Sequence, residues 1–162
     1  MTATNGANGA TTAARELGEK WYEDADVKAG IRLLARLARV AEQTCQSAGV
    51  SLPQYRLLVS VSGRAQRASE LATSVGVSRP TLTSLVDGLE QGGLLKRVPV
   101  PDDRRGIRLE LTEAGREATA RTEKALAIRF AQLLCDRADV VDDVRDLVAG
   151  MGKALDQERH VA

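Results

Sequence analysis

The sequence predicts a mainly α-helical protein with one small β-hairpin. Apolar residues recur at three- and four-residue steps over most of the chain, and residues 95–111 alternate between apolar and polar side chains instead. Aromatic residues make up only 2% of the 162 residues, so the core must be aliphatic, which favours close helix packing. The same scarcity argues against an aromatic stacking platform for RNA or single-stranded nucleic acid.

The N-terminal part of the chain divides into a tail and a first helix. Residues 1–14, MTATNGANGATTAA, lack apolar periodicity, and we predict a flexible tail over residues 1–23, with a docked arm as the alternative. A helix is predicted within residues 24–49, because apolar residues recur from Val27 to Cys45. Four basic side chains between Lys28 and Arg39 line another face of it, which suits either phosphate contact or a solvated surface.

Residues 50–93 carry the signals of three consecutive helices. Ser51 and Gln54 form a capping box at the start of the first, in the segment SLPQYRLLVSV. In ASELATSVGVSRPTLTSLVDGLEQGG, a short helix with an apolar face at Leu71, Ala72 and Val75 ends at Gly76, which adopts a turn conformation at low cost. This spacing is typical of a helix-turn-helix.

The third of these helices is predicted to begin after Ser78, a strong N-cap, and to end at two glycines, residues 92 and 93. One face repeats Leu82, Leu85, Val86 and Leu89. The opposite face carries small or hydroxyl side chains and one long cation, a combination that lets a helix approach base edges and phosphates. A polar exterior without a ligand is the alternative. The candidate DNA-binding residues on this helix are Ser78, Arg79, Pro80, Thr81, Thr83 and Ser84.

A β-hairpin follows, with strands LLKRVPV and IRLEL joined through PDDRRG. Four charged residues, 102–105, lie at its tip. Asp103 is placed to fix the guanidinium of Arg105, which would probe a narrow minor groove, while Arg104 would contact the backbone. The alternative is a solvated tip with incidental charges.

Residues 113–160, at the C-terminal end, are predicted to form two helices, and the first begins after the capping residue Thr112. The last helix carries an apolar seam at near-heptad spacing, which predicts a dimerisation surface together with the first helix; an intramolecular packing face is the alternative. The seam consists of Val140, Val144, Leu147, Met151 and Leu155.

Charge and composition exclude several function classes. The net charge is +1, yet residues 64–108 hold eight basic and five acidic side chains, which suits a local anion-binding face. The single histidine, His160, and the isolated Cys45 and Cys135 leave no catalytic triad and no metal-ligand cluster. We therefore expect no enzyme activity, metal or cofactor. No long apolar run or leader is present, so we expect a cytoplasmic protein without membrane contact.

These motifs together resemble the MarR (multiple antibiotic resistance regulator) family of winged helix-turn-helix transcription factors. Its wing signature is D-x-R, five residues, then L-T-x-x-G, matched here from Asp103 and Arg105 to Leu111, Thr112 and Gly115. The resemblance covers residues 26 to 158. It implies that residues 50–112 form the DNA-binding domain, and that Asp87 corresponds to a family acid that tethers the wing arginine. Many members carry basic residues where this chain has Ser84 and Gly88.

The function that the resemblance implies is that of a homodimeric, sequence-specific regulator, a repressor, which binds inverted-repeat duplex DNA and is released by a small phenolic or aromatic effector. The near-neutral charge and the uncharged residues 84 and 88 leave an alternative open. In it, the winged helix serves as a protein–protein interaction module without specific DNA binding.

Overall fold

The computed structural model describes residues 5–63, 71, 75–100 and 103–161. They form helices α1 (Asn5–Glu23), α2 (Ala25–Ser47), α3 (Leu52–Gly63) and α4 (Arg79–Gln91), then strands β1 (Leu95–Val100) and β2 (Asp103–Leu111), and finally α5 (Glu113–Leu134), a 3-10 turn (Ala138–Val140) and α6 (Val141–Val161). The two strands make a single antiparallel sheet in the described chain. The predicted fold class, mainly helical with one hairpin, is confirmed. The chain divides into two compact units, Met1–Ala41 and Glu42–Ala162.

The segment predicted to be a flexible tail is helical from Asn5 in the structure. Residues 13–20, AARELGEK, supply the reason, because Ala, Arg, Glu, Leu and Lys have high helix propensity. Arg15 and Glu19, one turn apart, form an exposed ion pair at 3.2 Å. The prediction gave too much weight to the Thr, Asn and Gly residues of the first ten positions.

Local capping groups fix the ends of α2 and α3. The Asp24 carboxylate accepts from the backbone N–H of Asp26 at 2.8 Å, at the start of α2. Gly49 follows the end of α2 at φ 94°, a conformation that favours glycine. The predicted capping box is confirmed, since the Ser51 N–H donates to Gln54 Oε1 at 2.8 Å and the Gln54 N–H donates to Ser51 Oγ at 3.3 Å.

Helix α4 has the predicted start and end. Ser78 Oγ accepts from the Thr81 N–H at 3.3 Å, and a proline stands in the first turn, where it costs no intrahelical bond. At the other end Gly93 has φ 70°, and the Leu94 N–H donates to the Leu89 carbonyl at 2.9 Å. Gly76, predicted as the turn residue, has φ 71°. Of the short helix before it, Leu71 and Val75 are helical and buried, and Ala72 lies outside the described residues.

The hairpin pairs as its alternation predicts. Leu95 lies opposite Leu111 and Arg97 opposite Leu109, with a register shift between Pro99 and Val100 near the tip. The three leucines are at most 8% exposed, so one face of the hairpin packs on the core of the larger unit. That core is aliphatic, as predicted, and includes Cys45, Val50, Leu57, Leu58, Val61, Leu71, Val75, Leu82, Val86, Leu89, Leu95, Leu109 and Leu111.

The hairpin is locked to α5 through a close backbone contact. Thr112 caps the helix by accepting from the Gly115 N–H at 3.0 Å, and its hydroxyl donates to the Gly93 carbonyl at 2.6 Å. A Cβ on Gly115 would lie 2.0 Å from the Leu94 carbonyl oxygen. Only glycine fits at this position, so the hairpin and α5 hold a fixed relative placement.

Candidate nucleic-acid interface

Helix α4 presents the predicted binding residues on its exposed side. Leu82, Val86 and Leu89 are at most 5% exposed and hold the helix on the core. With its apolar face fixed in this way, the polar face is directed outward at a defined angle. The candidate residues Ser78, Arg79, Pro80, Thr81, Thr83 and Ser84 are all exposed.

The first turn of α4 has few free backbone donors. Pro80 has no N–H, the Thr81 N–H donates to Ser78 Oγ, and the Leu82 N–H donates to the Ser78 carbonyl at 2.9 Å. Among the described residues, the remaining first-turn donor without an acceptor is the backbone N–H of Arg79. The same residue carries the cationic side chain at this end of the helix. An anion at this end of α4 would therefore be held mainly by Arg79.

The hydroxyl groups of α4 are already engaged within the helix. Thr83 Oγ1 donates to the Arg79 carbonyl at 3.1 Å, and Ser84 Oγ donates to the Pro80 carbonyl at 3.3 Å. At the N-terminus, the hydroxyls of Ser78 and Thr81 lie 2.8 Å apart and share a hydrogen bond. These bonds hold the side chains in set rotamers on the exposed face.

A cluster of one arginine and two acids joins α4 to the hairpin. Arg97 Nη2 of β1 lies 2.5 Å from Asp87 Oδ1, Arg97 Nη1 pairs with Glu90, and the Arg97 N–H donates to Glu90 Oε1 at 3.3 Å. The hydrogen bond to Asp87, together with both nearby carboxylates, raises the pKa of Arg97. Arg97 therefore stays charged, and its planar fork fixes the strand relative to the helix.

The wing-tether prediction takes a different form in the structure. Asp87 was expected to tether the wing arginine, whereas its described partner is Arg97 in the body of β1. The backbone of Asp103, Arg104 and Arg105 belongs to β2, but their side chains lie outside the described residues. Orientation of Arg105 by Asp103 thus stays a prediction. Arg97 was not among the predicted site residues, although Asp87 and Glu90, two acids three residues apart on one helix face, were a usable signal for a basic partner.

A second charged cluster lies on the outer face of the hairpin. Lys96 Nζ is 3.2 Å and Arg108 Nη2 is 2.6 Å from the two carboxylate oxygens of Glu110. The hydrogen bond from Lys96, together with the charge of Arg108, lowers the pKa of Glu110. Arg108 Nε is buried without a described hydrogen-bond partner. Two cations sharing one carboxylate leave this face with a positive surplus.

The predicted dimerisation seam lies on α6 and the turn before it. Val140 and Val144 are half-buried, whereas Leu147, Met151 and Leu155 are 63%, 51% and 59% exposed. Val148, beside them, is also 63% exposed. A row of exposed aliphatic side chains on one helix is unusual for a lone chain.

Other kinds of site find no support in the described part of the chain. No group of three or more His, Cys, Asp or Glu residues there could hold a metal ion. Cys45 is buried and Cys135 is exposed, and neither forms a disulfide. None of the helices described has both the length and the apolar character needed to cross a lipid bilayer.

The chain is similar in sequence to known transcriptional regulators. The model of the MarR family matches residues 48–106, which include α3, α4 and β1. The transcriptional repressor YetL of Bacillus subtilis is 29% identical over 119 residues, or 72% of this chain and 70% of YetL. The transcriptional regulator PecS of Dickeya dadantii is 40% identical over 47 residues, which span 29% of this chain and 28% of PecS.

A solved structure agrees over a longer stretch. The transcriptional repressor CouR, bound to a 23-mer DNA duplex, superimposes with a TM-score of 0.66 at 27% identity and covers 83% of this chain and 93% of its own. Members of the MarR family are transcription regulators and not enzymes, which confirms the expectation that this chain is no enzyme. The MarR family model thus matches one segment of the chain, and the fold, helical with a β-hairpin wing, is that of the winged-helix regulators of this family.

Proposed function

We propose that the chain is a homodimeric repressor that binds inverted-repeat duplex DNA in a sequence-specific manner. The observation that carries this proposal is the exposed face of α4, which presents small hydroxyl side chains and Arg79. The opposite, apolar face of the helix is buried in the core and holds the exposed face in place. The duplex bound to CouR and the repressor names of CouR and YetL support it. A regulator of this kind acts in the cytoplasm, where a bacterial genome lies.

Helix α4 enters the major groove in this proposal. The groove is about 12 Å wide and admits one α-helix. Thr83 and Ser84, lacking long side chains, allow the helix axis to come close to the base edges. Arg79, at the N-terminal end, contacts a phosphate, as the free backbone donor beside it favours.

The hairpin supplies a second contact, in the minor groove. Arg105 enters the groove, Asp103 fixes its direction and Arg104 binds the backbone, following the wing signature. The ion pairs of Arg97 with Asp87 and Glu90 support this arrangement, because they hold the hairpin at a set distance from α4. Both contacts can then meet one half-site together.

The dimer forms through the apolar seam of α6, which includes Leu147, Met151 and Leu155. Two copies related by a two-fold axis present two α4 helices to half-sites about 34–36 Å apart, or one helical turn. A palindromic operator follows from that symmetry.

Release by a small aromatic effector completes the proposal. A cavity of about 250 Å³ lies between α3, β2 and the start of α5, lined by Val61, Leu109, Glu110 and Arg116 among others. A ligand there would contact both the hairpin and the helices that support it. A ligand that binds more tightly when the two α4 helices have a different spacing weakens DNA binding. The loss equals the difference between the ligand's binding free energies at the two spacings, typically about 1–3 kcal/mol.

The test is selection from a random duplex library by the purified full chain. We expect enriched inverted repeats, and we expect Arg79→Ala to weaken binding and to reduce the salt slope by about one unit, the loss of one phosphate contact. Arg145→Ala, which removes an exposed ion pair on α6, is the matched control and should bind as the unmodified chain does. Without any enriched repeat the proposal fails, and the protein-interaction module becomes the better account.

A further inference from the structure

We infer that the middle of α4 reads the exocyclic amino groups of adenine and cytosine in the major groove, because its hydroxyl groups are held there as hydrogen-bond acceptors. This inference rests on the proposed function and deepens it, since it names the kind of base edge that the helix selects. It assigns the specificity to Thr83 and Ser84.

The hydrogens of these two hydroxyls are in use inside the helix. A hydroxyl group has one hydrogen and two acceptor lone pairs. Thr83 Oγ1 donates its hydrogen to the Arg79 carbonyl at 3.1 Å, and Ser84 Oγ donates to the Pro80 carbonyl at 3.3 Å. Both side chains are exposed, so what each presents to a ligand is its remaining lone pairs.

The N-terminal hydroxyls of the same helix behave differently. Ser78 and Thr81 share one hydrogen bond between them, so one hydroxyl hydrogen of the pair stays free. That hydrogen lies beside Arg79 and can join it in donating to a phosphate. The helix is thus divided into a donor end for the DNA backbone and an acceptor middle for the bases.

Asp87 extends the acceptor surface. Viewed down the helix axis, Asp87 lies between Thr83 and Ser84, one turn further along α4. Its side chain is 58% exposed. Its Oδ1 binds Arg97, which leaves Oδ2 without a described partner. Together the three side chains present oxygen lone pairs, and residues 83–87 include no long cation.

Only certain base edges match such a surface. In the major groove adenine offers its N6 amino group and cytosine its N4 amino group, whereas guanine offers the acceptors N7 and O6. Acceptors on the helix would oppose those of guanine, and the residues that bind guanine best, arginine and lysine, are absent from the middle of α4. Adenine or cytosine is therefore expected beneath Thr83 and Ser84 in each half-site.

The experiment uses duplexes enriched from a random library by the full chain. Each adenine of a half-site is replaced in turn by purine, and each cytosine by 2-pyrimidinone, so that single amino groups are removed. At one or more positions we expect affinity to fall about three- to tenfold, the contribution of one buried hydrogen bond. The same loss should be absent in Thr83→Val or in Ser84→Ala, which lack the acceptor, and present in Thr83→Ser, which keeps it.

Two results would overturn the inference while leaving the proposed function intact. One is an enriched operator whose amino groups can all be removed with less than about a twofold effect. The other is a loss that persists unchanged in both Thr83→Val and Ser84→Ala, or one seen instead with 7-deazaguanine. Failure to enrich any duplex would contradict the proposed function itself, and this inference with it. Thermal melting of each variant checks that the fold is retained.

Discussion

Arg97 Nη2 lies 2.5 Å from Asp87 Oδ1, and this contact joins the first strand of the hairpin to the exposed helix α4. Glu90, one turn further along the helix, binds the same guanidinium. The two parts of the chain that are proposed to contact DNA are thereby held as one body. The spacing between helix and hairpin is set by the ion pairs of Arg97 with two separate carboxylates, in addition to core packing.

Replacement of Arg97 by alanine should affect DNA binding more than stability. The ion pair is partly exposed, so we expect the free energy of unfolding to fall by less than about 1 kcal/mol. Affinity for an enriched duplex should fall about three- to tenfold, because the hairpin is no longer fixed against α4. Chemical denaturation and fluorescence anisotropy measure the two effects. Equal affinity of Arg97→Ala and the control Arg145→Ala would refute the tether.

Gly115→Ala should destabilise the protein severely. The new Cβ would lie 2.0 Å from the Leu94 carbonyl oxygen, which is backbone and cannot rotate away. We expect a loss of at least about 2 kcal/mol and a melting temperature lower by about 5 °C or more. Gly18→Ala, where the added Cβ meets nothing within 4 Å, is the control and should not lower the melting temperature. Matching melting curves for the two variants would contradict the proposed close approach.

A charge in the seam of α6 should break self-association. Leu147 is 63% exposed in the single chain, and Leu147→Glu would bury an unpaired carboxylate in the proposed interface. The dissociation constant of the dimer, measured by sedimentation, should rise at least about tenfold. Lys153→Glu changes charge on the opposite side of α6 and should leave association intact. A dimer unaffected by Leu147→Glu would place the interface elsewhere.

The two thiols should differ strongly in reactivity. Burial raises the pKa of Cys45, so at neutral pH this group is a protonated thiol shielded from reagent, whereas Cys135 is exposed. Iodoacetamide should label Cys135 first and reach Cys45 only on unfolding, as followed by mass spectrometry. In Cys135→Ser we expect almost no labelling of the native protein. Rapid modification of Cys45 in that variant would instead favour a thiol-sensing role.

The features that sequence predicted best are local. The caps Ser51, Ser78 and Thr112 each act on a backbone group three residues away, and all three are confirmed. The hairpin register follows from alternation, because a slip of one residue would turn Leu109 toward solvent.

Features that depend on distant contacts escaped prediction. The partner of Asp87 is Arg97, ten residues further along the chain on β1. Which side chain reaches Asp87 depends on how the strand crosses the helix. The need for glycine at 115 arises from Leu94, on the far side of the hairpin. The helix α1 was missed for another reason: the Gly, Thr and Asn residues of the first ten positions outweighed the good helix formers that follow.

In the proposed complex, two copies of this chain bind one inverted repeat through their α4 helices. Its most direct measurement is the stoichiometry and affinity of the full chain on an enriched duplex, compared with a duplex in which one half-site is scrambled. We expect two chains per intact duplex and a large loss of affinity when one half-site is scrambled. A single chain per duplex, or equal affinity for both duplexes, would contradict it.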